Sequence, residues 1–173
     1  SDHGCNMSDF QKYVKLITYG DDNTMNVSPD IDWFNHTVIQ QQLKLVGVEY
    51  TMPDKTSESV PFMDMKDVDF LKRKFVMCEK DGFCYAPLDI KSIAKMLNIT
   101  VLSKNVSEED QNSDIIRSAN REFWFYGQAI FEERHKQLLQ VIDACQLTPF
   151  FRDQPLLTFV NIKESIDHFK PRR

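Results

Sequence analysis

Asp21 and Asp22 stand side by side in the run Tyr19-Gly20-Asp21-Asp22, between two stretches rich in β-branched and aromatic residues. Two carboxylates at a tight turn concentrate negative charge that little backbone can neutralise. A divalent cation offsets that repulsion, and hard oxygen ligands suit Mg²⁺. Neighbouring strand residues point to opposite faces, so Asp21 is expected as the direct ligand and Asp22 as its auxiliary. The plain alternative is a solvent-exposed turn, where Gly and Asp are favoured anyway. A calcium turn fits less well. Asp21-Asp22-Asn23 lacks the alternating oxygen ligands and central Gly of an EF-hand loop.

Other reactive side chains offer less. Cys5, Cys78, Cys84 and Cys145 form no CxxC pair, so reduced thiols are expected. A zinc site from His3, Cys5, Cys78 and Cys84 is conceivable by ligand type, but the spacing matches no standard structural-zinc pattern. The histidines are scattered, with none beside a Ser or Cys in a nucleophile motif, which leaves a protease without support.

The acid pair needs elements to hold it. Residues 13–18 and 24–27 read as the two strands of a hairpin with the acids at its tip. Ser28-Pro29 reads as a helix start, with Phe34, Val38 and Leu45 on an apolar stripe and Gly47 as the stop. Residues 48–51 look strand-like and 53–59 polar loop. A second hairpin pairs 70–78 with 83–86 across Glu79-Lys80-Asp81-Gly82. After Pro87 the pattern turns helical. Ile90, Ile93, Ala94 and Leu97 follow a cap at Asp89; Ser107 opens a helix through Ile115, Ala119 and Phe123 to Gly127. A third helix carries Ile130, Leu138, Val141 and Ile142, and a short last one Ile162, Ile166 and Phe169. Strands first and helices afterwards is an α+β pattern.

Composition agrees with a folded chain, at 42% hydrophobic and 27% charged residues. No apolar run approaches the roughly 18 residues of a membrane span, and no charged-then-apolar leader opens the chain. It begins at Ser1, as expected of a processed product or fragment. The net charge of −5 argues against a uniformly basic nucleic-acid binder. That average hides a split. Residues 1–69 carry 5 Lys/Arg against 12 Asp/Glu, whereas residues 70–173 carry 16 against 14.

Along essentially its whole length the chain resembles the second half of a picornavirus-like RNA-dependent RNA polymerase. Tyr19-Gly20-Asp21-Asp22 matches motif C of that family, and Asp54-Lys55 within Thr51-Met52-Pro53-Asp54-Lys55-Thr56 is similar to the end of motif D. Phe70-Leu71-Lys72-Arg73-Lys74-Phe75 is similar to motif E, the primer grip, and the helical remainder to the thumb. Phe123-Trp124-Phe125-Tyr126-Gly127 before Phe131-Glu132-Glu133 most resembles the insect dicistrovirus branch.

The resemblance implies a partial right-hand polymerase of α+β class. Its palm segment would span 1–69, a primer-grip hairpin 70–88 and a helical thumb 89–173. It further implies template-directed transfer of nucleotides from NTPs to an RNA 3′-hydroxyl by two metal ions. Asp21 and Asp22 would be catalytic and hold Mg²⁺, with Mn²⁺ as a substitute. Lys55 would give a proton to the departing pyrophosphate, since an ordinary lysine is protonated at neutral pH; a surface loop lysine is the alternative. Tyr19, Gly20, Phe70, Leu71, Lys72 and Arg73 would meet primer and RNA. As a strand, 70–75 presents Leu71, Arg73 and Phe75 on one face and Phe70, Lys72 and Lys74 on the other. Phosphate contacts of that kind position RNA without reading it; a lysine-guarded edge strand is the alternative. Arg117 and Arg121, one helical turn apart, suit an RNA strand, though Glu122 offers a local ion pair. The aromatic run 123–126 points around a whole helix and is expected to pack, and the tail Lys170-Pro171-Arg172-Arg173 to fray.

Such a polymerase also needs an upstream palm aspartate, a Ser-Gly ribose-selecting loop and basic fingers. Residues 1–12 offer only Asp2 and Asp9, in no matching context. The expected partners are therefore RNA template and primer, NTPs, and the fingers and N-terminal palm of the same polyprotein, with other viral replication proteins besides. The expected location is host cytoplasm, in membrane-associated replication complexes, and the fragment alone is expected to be inactive. The contrasting reading is a non-catalytic, thumb-like module that binds RNA or protein. A reverse transcriptase also puts paired aspartates after Tyr in a hairpin, but residues 70–75 favour the RNA-dependent RNA polymerase.

Overall fold

A helical turn, α1 (Phe10–Tyr13), leads into β1 (Val14–Tyr19), which pairs antiparallel with β2 (Asp22–Val27). Tyr19 lies opposite Asp22, so Gly20-Asp21 is a two-residue loop. Gly20 is left-handed (φ 61), as the first central position of a type II′ hairpin loop demands. The computed structural model describes residues 6–79 and 82–169. His3, Cys5, Lys80, Asp81 and the 170–173 tail lie outside the described residues.

The chain divides into two units, Ser1–Cys84 and Tyr85–Arg173. In the first, Ser28 caps only a 3₁₀ turn, Pro29–Ile31, and α2 (His36–Leu45) starts seven residues later than the Ser28-Pro29 signal suggests. Asn35 is the reason. Its backbone is extended, and its Oδ1 accepts from the Val38 amide at 3.1 Å, the local bond that makes Asn a better cap than helix interior. Gly47 ends α2 as expected: left-handed at φ 77, it donates to Lys44 O while Val48 donates to Leu43 O, a Schellman stop. Residues 48–51 form no strand. Side chains of α2 hold them instead, with Gln40 Nε2 donating to Tyr50 O at 2.7 Å.

The largest departure from the sequence pattern lies at 70–75, which is not one strand. β3 (Asp69–Phe70) and β4 (Arg73–Lys74) form a hairpin whose loop is Leu71-Lys72. Both loop residues are left-handed, φ 55 and 60, which is type I′ geometry made without Gly or Asn. The expected two-faced alternation is lost because the chain reverses in the middle of it. β5 (Val76–Cys78) and β6 (Phe83–Tyr85) then form the anticipated second hairpin in a shorter version.

The second unit is α3 (Ile90–Asn98), α4 (Glu108–Phe123), α5 (Gln128–Ala144) and α6 (Phe159–Phe169) around a hydrophobic core. Ser107 caps α4 through the Asp110 amide at 3.1 Å, with Glu108, Glu109 and Asp110 in the first turn facing the positive helix end. Asp89 occupies the cap position of α3, but its side chain makes no capping bond. The apolar stripe of α5 runs through Phe131, Leu138 and Ile142, leaving Ile130 and Val141 outside the core, a one-residue rotation from the expected face. Left-handed Gln146 closes α5 as Gly47 closes α2, with Leu147 N donating to Ile142 O. The aromatic run packs. Trp124 stacks on Phe159 with its Nε1 donating to Phe159 O, and Tyr126 donates to Leu88 O at 2.6 Å.

Candidate active site

Asp21 at the loop tip and Asp22 at the start of β2 are both exposed. With Lys55, Asn23, His36 and Tyr50 they line one cleft of about 510 Å³. Residues 34 positions apart in sequence thus converge, and the cleft carries acids and a lysine together. Among the described residues no group of three or more His, Cys, Asp or Glu could hold a metal ion. The turn itself supplies two carboxylates. That set fits Mg²⁺, which binds through one or two carboxylates, keeps several waters and shares substrate phosphates.

Asp22 is already engaged, since its Oδ2 accepts from the Leu71 amide at 3.3 Å. The acid turn and the Leu71-Lys72 turn are therefore in direct contact. Lys55 sits in a loop built to hold an unusual backbone. It is left-handed (φ 63), its amide donates to Met52 O at 2.8 Å, and the Asp54 carboxylate accepts from the Thr56 and Ser57 amides and the Ser57 hydroxyl. Those bonds, the hydroxyl first, hold the Asp54 pKa below the usual carboxylate value. A left-handed non-Gly residue costs about 1–2 kcal/mol, and such strain gathers at functional sites.

Of the remaining expected contacts, Tyr19 and Lys72 are exposed, Phe70 and Arg73 half-buried, and none of them lines the cleft. In the helical unit Arg121 is exposed. Arg117 is not a free RNA contact. Its Nη2 donates to Phe150 O at 2.5 Å, its Nε to Gln154 O, its Nη1 to Asp114, and the guanidinium lies over the Phe151 ring. It clamps the 148–157 loop onto α4, and its ion-pair partner is Asp114, whereas Glu122 accepts from the Leu88 amide.

Sequence reasoning missed His36, Tyr50 and Asn23. Asn23 was signalled by its place after the acids, but nothing in the pattern marks a Tyr 27 residues later as its partner.

The cleft thus groups the paired aspartates of a hairpin tip with a loop lysine, and the Leu71-Lys72 turn touches the second aspartate. The family model for viral RNA-dependent RNA polymerase matches residues 2–138, and the chain belongs to that family. It is 32% identical over 156 residues to the replicase polyprotein of Cricket paralysis virus, covering 88% of this chain and 8% of the polyprotein. Against the replicase polyprotein of Drosophila C virus it is 33% identical over 161 residues, covering 92% and 9%. Both are dicistroviruses, as the 123–127 aromatic run led us to expect. A plant-virus relative, the genome polyprotein of Rice tungro spherical virus, is 35% identical over 146 residues, 82% of this chain and 4% of that one. The fold matches the Sicinivirus 3Dpol RNA-dependent RNA polymerase with a TM-score of 0.61 at 16% identity, covering 89% of this chain and 30% of that one. The chain thus spans under a tenth of the polyproteins and about a third of that polymerase. No helix among the described residues is long and apolar enough to cross a membrane.

Proposed function

We propose that this chain is the C-terminal palm segment and thumb of a viral RNA-dependent RNA polymerase, which extends an RNA primer from NTPs on an RNA template. The observation that carries the reading is the single cleft lined by Asp21, Asp22 and Lys55. A divalent metal bound there would lower the pKa of the attacking 3′-hydroxyl and neutralise charge on the triphosphate. Asp21, at the open tip, is the direct ligand. Asp22, with one oxygen held by the Leu71 amide, is the auxiliary. Lys55 donates a proton as the α–β phosphate bond breaks, so the pyrophosphate leaves with less charge. The Leu71-Lys72 turn and Arg73 take the primer backbone as positioning contacts.

Transfer by two metal ions needs more ligands than this one carboxylate pair, so a further carboxylate and the triphosphate-binding cations come from the rest of the polyprotein. The chain alone is therefore inactive, and it works in the host cytoplasm within membrane-associated replication complexes. The test is primer extension with Mg²⁺ by this chain, by a longer form extended upstream, and by that form carrying Asp21→Ala. Product only from the longer wild-type form supports the reading. Template-dependent product from the short chain, or from the Asp21→Ala form, sinks it. Salt-sensitive RNA binding that survives Asp21→Ala, with no extension by any form, would favour the non-catalytic thumb module instead.

A further inference from the structure

The loop that carries Lys55 has its two ends fastened to the first turn of α2. At one end, His36 Nε2 lies 3.4 Å from Thr51 O. At the other, His36 Nδ1 lies 2.7 Å from Ser59 Oγ, Thr37 Oγ1 lies 3.0 Å from the same oxygen, and the His36 amide donates to Pro61 O at 3.1 Å. His36 thus fastens both ends of the eleven-residue segment 51–61, its imidazole joining Thr51 to Ser59 and its amide holding Pro61, a length within the Ω-loop range. Inside it, the Asp54 bonds and the Lys55–Met52 bond make the tip stiff. A stiff loop moves with its base.

Tyr50 connects that base to the acid turn. Its carbonyl is tied to α2 by Gln40, its ring stacks on His36 at 4.8 Å, and its hydroxyl donates to Asn23 Oδ1 at 2.6 Å. Asn23 follows Asp22 directly and is registered against Thr18 across the hairpin. We propose that the Tyr50–Asn23 hydrogen bond is a positioning strut that sets where Lys55 stands relative to Asp21 and Asp22, and that Tyr50 acts on the chemical step through Lys55. The proposal rests on the polymerase reading above. Burial raises the Tyr50 pKa, so the hydroxyl keeps its donor proton through the neutral range.

The strut contributes placement and no chemistry of its own. Proton transfer requires the ammonium within hydrogen-bond reach of the leaving oxygen. A displacement on the order of 1 Å costs up to about a hundredfold in rate. Tyr50→Phe removes the hydroxyl while keeping the ring stacked on His36, and Asn23→Ala removes the acceptor from the other side.

The experiment is single-nucleotide incorporation by the complete polymerase that contains this chain, comparing wild type, Tyr50→Phe, Asn23→Ala, Lys55→Ala, Asp21→Ala and the Tyr50→Phe/Lys55→Ala double variant. Tyr50→Phe and Asn23→Ala are each expected to lower the maximal rate about tenfold with NTP half-saturation within about twofold, and with unchanged Tm. In the Lys55→Ala background, Tyr50→Phe is expected to have no further effect, because the group it positions is gone. An unchanged maximal rate in Tyr50→Phe and Asn23→Ala overturns the strut, as does a full additional loss on top of Lys55→Ala. Should wild type give no product, or Asp21→Ala retain it, the polymerase reading falls and the strut with it.

Discussion

Lys55 and His135 illustrate how a backbone angle or a burial can assign work to a single side chain. Lys55 holds a left-handed conformation that the Asp54 bonds enforce. With a general-acid role, Lys55→Ala in the complete polymerase should slow incorporation by about a hundredfold. The solvent isotope effect should shrink with it, and an unaltered single-turnover rate would remove Lys55 from the chemistry. His135 titrates against the fold instead. Asn120, 1% exposed, donates through Nδ2 to Leu157 O at 2.9 Å. Its Oδ1 is therefore the acceptor at 2.8 Å from His135 Nδ1, which carries the proton. Burial pushes the His135 pKa below its usual value. The unfolded chain takes up a proton below about pH 6.5 while the folded one resists until lower pH. Stability from this residue is whole above that point and declines as the pH falls through it. Urea midpoints on either side of pH 6.5 should show the decline, and His135→Gln should flatten it.

Among the elements, the Leu71-Lys72 hairpin departs furthest from the local preference of its sequence. Two consecutive left-handed residues without Gly or Asn cost roughly 1–2 kcal/mol each, and the turn persists with the Leu71 amide bonded to Asp22. Replacing the pair with Asn-Gly should raise the stability of the complete polymerase by about 1 kcal/mol. The same change should weaken primer engagement, read as lower processivity at rising salt. A stabilised variant with unchanged processivity would mean that the strained turn has no hold on the primer. The helix ends behave differently. Gly47 and Gln146 both close helices by the same pair of bonds, yet only the glycine could be read as a stop, because Gln has no special preference for that geometry.

At the scale of the molecule the two units differ in what holds each together. The helical unit has a contiguous core that includes Ile93, Phe123, Phe131 and Ile142. In the other, Val14, Ile31 and Met52 are buried, whereas Leu16, Ile17 and Tyr19 along β1 are 44%, 57% and 71% exposed. A two-stranded hairpin with so little of β1 buried is marginal in water. Hydrogen exchange on this chain alone should therefore find the slowest amides in α4 and α5 and fast exchange across β1 and β2. Equal protection in the two units would contradict that account. In the complete polymerase, further palm strands against β1 should slow its amides.

Local signals in the chain determined the acid hairpin, the Ser107 and Gly47 helix ends and the α+β order. Each depends on residues within a few positions of one another, where turn chemistry, capping and helical periodicity act directly. The family was legible for the same reason, since Tyr19-Gly20-Asp21-Asp22 and Asp54-Lys55 are short contiguous motifs. Tertiary structure decided the rest. It turned 70–75 back on itself, set the Leu71 amide against Asp22, drew Arg117 into a clamp on the 148–157 loop, and joined Tyr50 to Asn23. Those outcomes depend on which distant donor meets which acceptor, and no spacing rule along one chain records that meeting.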